Sequence, residues 1–540
     1  MAREPVPARP SLEFDRKRAK ALLRAARAGD PQALERFRTH HPRFRGPATT
    51  PGATGIALHD AQLVVAREYG VASWARWKQF VETRRLDIAG RAAELVRAAC
   101  AGDMRKASML VDAEPALADL DVYTAAVCGA AERMRDLLAR EPWLATRVGG
   151  PLQRAPILYA CFSRFLRSDR RRADGIVQVV QLLLDHGADP NAHYTEGDGA
   201  DHIQTCLYGA AGIANNAELT RMLLDAGADP NELAPDPEAG TDPGPLGTEA
   251  LYHASEWSDV ACLRLLLEAA PPLHRARVSY CLARMLDFEN PAGVELYLAN
   301  GADPDFRVPW MHRRTHLHRA IAYDRSLTIV RLLVEAGADV NARDDLGMTP
   351  LRYAVRHGRD DVIAMLQSSG ADDAAVTDDD RSIGAAVRGD ATVSSPLSAD
   401  PDLLCNAACR DDVVLIRRLL EAGADPNAPV GRVDAMPPLH WACWYGRRAA
   451  AKALIEAGAD IHAVNQYGGD ALGSTLHGSV NCGDPVGGLA TRLPEEIIHG
   501  DYPGLAELLI TAGARVPERT GGSEAVQEVL RRHGVRDADA

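Results

Sequence analysis

The chain contains no C-x-x-C pair, although it carries ten cysteines in 540 residues. That absence argues against zinc ribbons and dithiol redox motifs. Several cysteines sit beside alanine in helical stretches, as in Ala442-Cys443. They read as small core residues left unpaired, which sets the expected location in a reducing cytoplasm. No run of about 18 apolar residues occurs, so no membrane-spanning helix is expected. Met1 to Lys20 is rich in Arg and Pro and lacks an apolar stretch, so no signal peptide is expected. Catalytic signatures are missing as well. There is no G-x-x-x-x-G-K-[ST] loop, no H-E-x-x-H and no G-x-S-x-G elbow, so no enzyme activity and no cofactor are expected.

Aromatic residues are scarce, at 5%, while 46% of residues are hydrophobic and 25% charged. That balance is ordinary for a folded protein. The length exceeds what one hydrophobic core supports, so the chain is either several domains or a stack that grows by repetition. The net charge of −13 makes general binding to nucleic acid or anionic membrane unfavourable. Charge is uneven, however. Residues 1–110 hold 21 Lys/Arg against 11 Asp/Glu, so the negative excess lies in the remainder.

One string recurs: aliphatics, two variable residues, then Gly-Ala-Asp. It appears as LLLDHGADPN at 182–191, LLDAGADPN at 223–231 and LANGADPD at 298–305. Later copies are LLVEAGADVN at 332–341, LLEAGADPN at 419–427, LIEAGADIH at 454–462 and LLITAGARV at 508–516, with a worn copy at 365–373. The base spacing of their glycines is close to 33 residues. A second string opens the first helix of several units, most clearly Thr315-His316-Leu317-His318-Arg319-Ala320, Thr349-Pro350-Leu351-Arg352-Tyr353-Ala354 and Pro437-Pro438-Leu439-His440-Trp441-Ala442. Thr caps a helix through its hydroxyl, and Pro suits the first helical position because its missing N–H would have no partner there. Glycine ends the second helix in a left-handed conformation, and Asp-Pro-Asn turns the chain toward the next unit.

On both strings, in register, the chain resembles the ankyrin-repeat family, and in its leader and closing section it resembles bacterial multi-repeat members. The resemblance implies an all-α ankyrin-repeat solenoid with a helical N-terminal cap. Residues 1–85 are expected to form the basic cap, with helices at 18–27, 31–40, 59–69 and 73–84. Residues 86–150 are expected to be degenerate repeats and 151–377 repeats with insertions at 165–175 and 233–246. Residues 378–402 read as an insertion or a worn repeat, and Asp378-Asp379-Asp380 as a solvated acidic loop. Residues 403–516 complete the array around an insertion near 478–500, and 517–540 form a capping helix.

In the family, partners sit on turn tips and on the concave face of the first helices. The resemblance therefore nominates Trp257, Arg319, Tyr323, Tyr353, His357, Trp441, Trp444 and Tyr445 on that face, with Trp310 and Tyr467 at the tips. Aromatics and Arg give large contact area at low entropy cost. The expected function is a non-catalytic protein-binding scaffold with an unidentified protein partner, acting as a monomer. The alternative is nucleic-acid or ribonucleoprotein binding through the basic N-terminal segment, where Arg16-Lys17-Arg18 and Arg43-Phe44-Arg45 cluster. Such clusters are usually solvated helix faces, so nucleic acid is the less expected partner. His312, His316 and His318 have a spacing that could suggest a metal, but His318 stands where the family keeps a structural histidine, and no metal is expected.

Overall fold

The two recurring strings each build half of one structural unit. Thr349 caps its helix by accepting a hydrogen bond from the Arg352 N–H. Gly337 closes the preceding second helix at φ +94°, where a side chain would be strained. The computed structural model describes residues 7, 10–41, 44, 55–71, 73–195, 203–232, 249–307, 312–390, 401–429, 436–465, 468–481 and 500–535. They form two compact units, one built on residues 1–189 and one on residues 190–538.

The first unit opens with helices α1 (Leu12–Arg27), α2 (Pro31–His40), α3 (Leu58–Glu68) and α4 (Trp74–Thr83). Leu22, Phe37, Val64, Trp77 and Phe80 fill its core. Asp15 is buried there and is satisfied by two donors, Tyr69 Oη at 3.1 Å and Trp77 Nε1 at 2.9 Å. Next come α5 (Ile88–Ala101), α6 (Met104–Ala113), α7 (Val122–Cys128), α8 (Ala131–Arg140), α9 (Pro156–Cys161), α10 (Phe165–Ser168) and α11 (Arg170–Asp185). The stretch 165–175, expected as an insertion, is therefore helical. Gly175 lets α11 lie against α7, because a Cβ there would fall 2.2 Å from the Gly129 carbonyl oxygen.

Three carboxylates of this unit engage six of its cations. Glu68 holds Arg18 and Arg36 at 2.7 and 2.6 Å, and Glu114 holds Arg84 and Arg91 at 3.1 and 2.8 Å. Glu94 holds Lys106 and Arg97 at 2.6 and 2.8 Å. Each carboxylate serves two cations, which is how a segment with few acids stays folded.

The second unit begins with a hairpin that the sequence reading did not foresee. Strands β1 (His193–Thr195) and β2 (Ile203–Thr205) pair antiparallel, with Tyr194 opposite Gln204. A π-helical turn (Tyr208–Ile213) and α12 (Ala217–Asp225) follow. Then come the pairs α13 (Glu249–Ala254) with α14 (Ala261–Leu267), α15 (Arg275–Met285) with α16 (Pro291–Ala299), α17 (His316–Ala322) with α18 (Leu327–Glu335), and α19 (Pro350–Arg356) with α20 (Asp360–Ser368). Helix α21 (Asp378–Arg388) stacks on α19. After it come α22 (Pro401–Cys409) with α23 (Val413–Glu421), α24 (Pro438–Trp444) with α25 (Arg448–Glu456), α26 (Ala471–Asn481) with α27 (Tyr502–Thr511), and α28 (Glu524–Arg532). First helices pack on first helices and second on second, as α17 on α19 and α16 on α18. Each second helix buries one apolar stripe, such as Ile329, Val330 and Leu333 in α18. One such leucine truncated to alanine costs about 2–5 kcal/mol, because the neighbouring repeat cannot collapse into the hole.

Asp378-Asp379-Asp380 requires a correction. It is not a solvated loop but the first turn of α21, capped by Thr377. Asp380 is fully buried, paired to Arg352 at 2.7 Å and Arg356 at 2.5 Å. Two arginines from the preceding first helix pull one of the three acids inward. The insertion expected at 233–246 lies outside the described residues, as do Cys482, residues 482–499 of the insertion expected at 478–500, whose residues 478–481 instead finish α26, and residues 46–54 of the Pro-, Gly- and Thr-rich connector expected at 46–55. The nine other cysteines form no disulfide, and burial pushes the thiols of Cys100, Cys128, Cys409 and Cys443 up to about 12.

Candidate partner-binding surface

The row of first helices in the second unit carries a chain of ion pairs along α13, α15 and α17. His253 lies 3.2 Å from Glu249 and 3.1 Å from Glu256. Glu256 pairs with Arg284 at 2.5 Å, Arg284 with Asp287 at 2.7 Å, and Asp287 with Arg319. The Arg319 guanidinium covers the Tyr323 ring at 5.0 Å. Burial alone would raise Asp287, but Arg319 and Arg284 outweigh it and hold the carboxyl below its usual range. The ladder repeats about once per unit, so aligning charge by repeat would have revealed it from the sequence.

This network decides what the nominated residues do. Trp257 is buried and its Nε1–H donates to the Gly212 carbonyl at 2.9 Å, which secures the π-helical turn. Arg319 is buried and engaged by Asp287. Tyr353 is buried, donates to Asp344 at 2.8 Å and lies under Arg314 at 4.8 Å. His357 is buried, and burial pushes its imidazole down to about 4. These four side chains face other parts of the chain. Tyr323 is half-buried, and Trp310 and Tyr467 lie outside the described residues.

Trp441, Trp444 and Tyr445 differ from those four, because all three, like Tyr323, are only half-buried. Trp441 stacks on Tyr445 with ring centres 6.2 Å apart and planes 19° from parallel. Trp444 stacks on His477 of α26 at 4.9 Å and 26°. The pair is positioned from behind: Tyr502 donates its hydroxyl to the Trp444 carbonyl at 2.9 Å. Gly478 lets α26 approach, since a Cβ would fall 2.1 Å from that same carbonyl. The Trp441 Nε1–H is itself buried and, among the described residues, meets no acceptor.

The histidine triplet is structural in its third member. His318 Nδ1 meets Thr315 Oγ1 at 2.8 Å, and its Nε2 meets the Met348 carbonyl at 3.0 Å, so both ring nitrogens are engaged. His316 is buried against Phe306, with its imidazole pushed down by burial to about 3. A wide surface depression of about 740 Å³ lies farther along, between the end of α17 and α23, lined by Asp324, Val387, Arg410, Asp412, Val414, Leu415 and Arg418.

Residues 282–377 and 385–465 match the family described as "Ankyrin repeats (3 copies)". The chain therefore carries ankyrin repeats, and its fold is an all-α ankyrin-repeat solenoid. It is 44% identical over 63 residues to Protein phosphatase 1 regulatory subunit 27 of Homo sapiens, covering 12% of this chain and 40% of that protein. It is 35% identical over 121 residues to a putative ankyrin repeat-containing protein of Treponema pallidum (strain Nichols), covering 20% and 41%. It is 33% identical over 129 residues to an ankyrin repeat and KH domain-containing protein of Caenorhabditis briggsae, covering 23% and 5%. The chain thus spans at most 41% of the length of these relatives. No helix among the described residues is long and apolar enough to cross a membrane.

Proposed function

We propose that this protein is a non-catalytic, monomeric scaffold that holds another protein through the surface centred on Trp441, Tyr445, Trp444 and His477. The observation that carries this reading is the contrast between two tryptophans. Trp257 is buried with its indole N–H bonded to Gly212. Trp441 is only half-buried and stacks on an equally half-buried tyrosine, although its indole N–H is itself buried and meets no acceptor among the described residues. A stacked aromatic pair that the fold does not fully bury is the material of an interaction hot spot. The regulatory subunit among the relatives supports a binding role through such repeats. A cytoplasmic setting is part of the proposal and rests on the unpaired buried thiols. Binding of nucleic acid through the N-terminal helices has less support, because Glu68, Glu94 and Glu114 already engage six of their cations.

The test is affinity capture from the native host with wild-type and Trp441→Ala chains matched for thermal stability. Proteins held through this surface drop at least about tenfold with the variant, as loss of a hot-spot side chain worth 1.4 kcal/mol or more requires. Undiminished capture by a stably folded Trp441→Ala chain refutes the assignment.

A further inference from the structure

The first unit carries an exposed tryptophan that helix stacking does not use. Trp143 lies in a 3-10 turn (Pro142–Ala145) just after α8. Leu144 and Ala145 are buried and anchor this turn, while Trp143 beside them stays 52% exposed. Val148, a little farther along, is 64% exposed. Between them in sequence, Arg147 lays its guanidinium over the indole at 5.0 Å. That contact orients the cation without neutralising it. Residues 142–154 hold two arginines and no acid, and Arg147 forms no ion pair among the described residues.

The backbone that presents these side chains is fixed from below. Tyr123 of α7 donates its hydroxyl to the Arg147 carbonyl at 3.1 Å. Tyr159 of α9 donates to the Gly149 carbonyl and accepts from the Leu152 N–H, both at 2.8 Å. Gly149 and Arg154 exchange two backbone hydrogen bonds, at 3.1 and 3.0 Å, which closes the loop. A Cβ would fall 2.3 Å from the Tyr123 hydroxyl at Gly149 and 2.7 Å from its ring at Gly150, so the loop lies tight on that tyrosine. A loop already held in one shape gives up little entropy when something binds it. Tryptophan and arginine are also the side chains that most often dominate binding energy at interfaces.

We propose that Trp143, Arg147 and Val148 form a second docking surface, whose occupant is a segment of a partner protein carrying an acidic side chain next to an aliphatic one. The carboxylate takes the N–H groups of Arg147, which stacking on the indole leaves free in the plane of the guanidinium. The aliphatic side chain covers exposed indole and Val148. A long polyanion such as nucleic acid fits less well, because the chain carries a net charge of −13 and Val148 offers a phosphate nothing. The surface is separate from the one centred on Trp441, and neither proposal depends on the other.

The test uses the full chain and a fluorescein-labelled peptide with three Asp-Leu pairs spaced by Ser-Gly, read by fluorescence anisotropy at low salt. Trp143→Ala and Arg147→Glu each weaken its binding at least about tenfold, as removal of a hot-spot side chain requires. Both side chains are exposed, so both variants keep the wild-type melting temperature. Peptides with Asn for the three Asp, or Ser for the three Leu, also bind the wild-type chain at least about tenfold more weakly. Trp441→Ala leaves affinity for the original peptide unchanged. No binding by the wild-type chain, or affinity that Trp143→Ala or Arg147→Glu leaves intact, overturns the proposal. Loss of binding in Trp441→Ala does so too, because the peptide then sits on the other surface. A labelled oligouridine that binds the wild-type chain more tightly than the peptide does, and is released by Trp143→Ala, overturns it in favour of a base-stacking platform.

Discussion

Asn341 fastens two repeats together from a single side chain. Its Nδ2 donates to the Gly370 carbonyl at 3.0 Å, and its Oδ1 accepts from the Asp372 N–H at 2.8 Å. Asn427 does the same to Gly458 and Asp460, and Asn191 to Gly227 and Asp229. The last residue of the Gly-Ala-Asp-x-Asn string is thus a clasp on the following turn rather than only a turn residue.

Asn341→Ala removes both bonds. Each is worth about 0.5–1.5 kcal/mol net, so the variant should lose about 1–2 kcal/mol in denaturant unfolding at an exposed site. Asp305 occupies the same position but can only accept, taking the Asp339 N–H at 3.0 and 3.2 Å. Burial first, and then the Asp339 and Asp303 carboxylates, raise its carboxyl despite that bond. A raised acid is disfavoured as carboxylate in the fold, so it weakens the fold as pH climbs through the carboxylate range. Asp305→Asn should therefore add up to about 1 kcal/mol at pH 7, with the gain shrinking toward pH 3.

Two glycine-to-alanine substitutions should separate strain from collision. At Gly337 an added Cβ meets nothing within 4 Å, so only the left-handed backbone resists it, at about 1 kcal/mol. At Gly384 the Cβ would fall 2.1 Å from the Val355 carbonyl oxygen. Backbone cannot yield there without parting α21 from α19, and Gly384→Ala should cost about 3 kcal/mol. Urea midpoints for the two variants give the comparison.

Asp380 should govern the acid limb of stability. Burial favours its neutral form, but hydrogen bonds from Arg352 and Arg356 overcome this and hold the carboxyl down at about 2. A depressed acid stabilises the fold above its unfolded value near 4 and loses that contribution as pH falls through about 2. Asp380→Asn should lower the melting temperature at pH 7 and flatten its fall between pH 4 and pH 2.

His253 should act at the other end. Burial alone would lower its imidazole, but hydrogen bonds to Glu249 and Glu256 raise it to about 9. A raised base stabilises the fold fully below its unfolded value near 6.5, and that contribution fades as pH rises through about 9. His253→Gln should cost on the order of 1 kcal/mol at pH 6 and much less at pH 10, which pH-resolved thermal melts would register.

The local rules of the chain were legible in its residues. Period, helix starts and helix stops follow from Thr, Pro and Gly acting on their own backbone within a few residues. The helix at 31–40 is where its Asp30 cap and Pro31 predict it, and Gly337 takes the left-handed form its position demands. Repeat alignment likewise set Tyr353 and Trp441 at one position of the unit and Trp257 one turn later on the same expected face.

Which of them is buried was a tertiary outcome. Trp257 found the Gly212 carbonyl 45 residues away, and Tyr353 is covered by Arg314, which Asp402 of α22 pairs with in turn. Trp441 found no acceptor among the described residues. Hydrogen bonds and ion pairs across such separations depend on how repeats register against one another. That register is set by close approaches such as Gly384 on Val355 and by polar seams such as Asp402 on Arg314. The sequence by itself determined the repeat and its caps, because those act locally. The folded stack alone decided which polar groups are engaged, because their partners lie outside the range of any local rule.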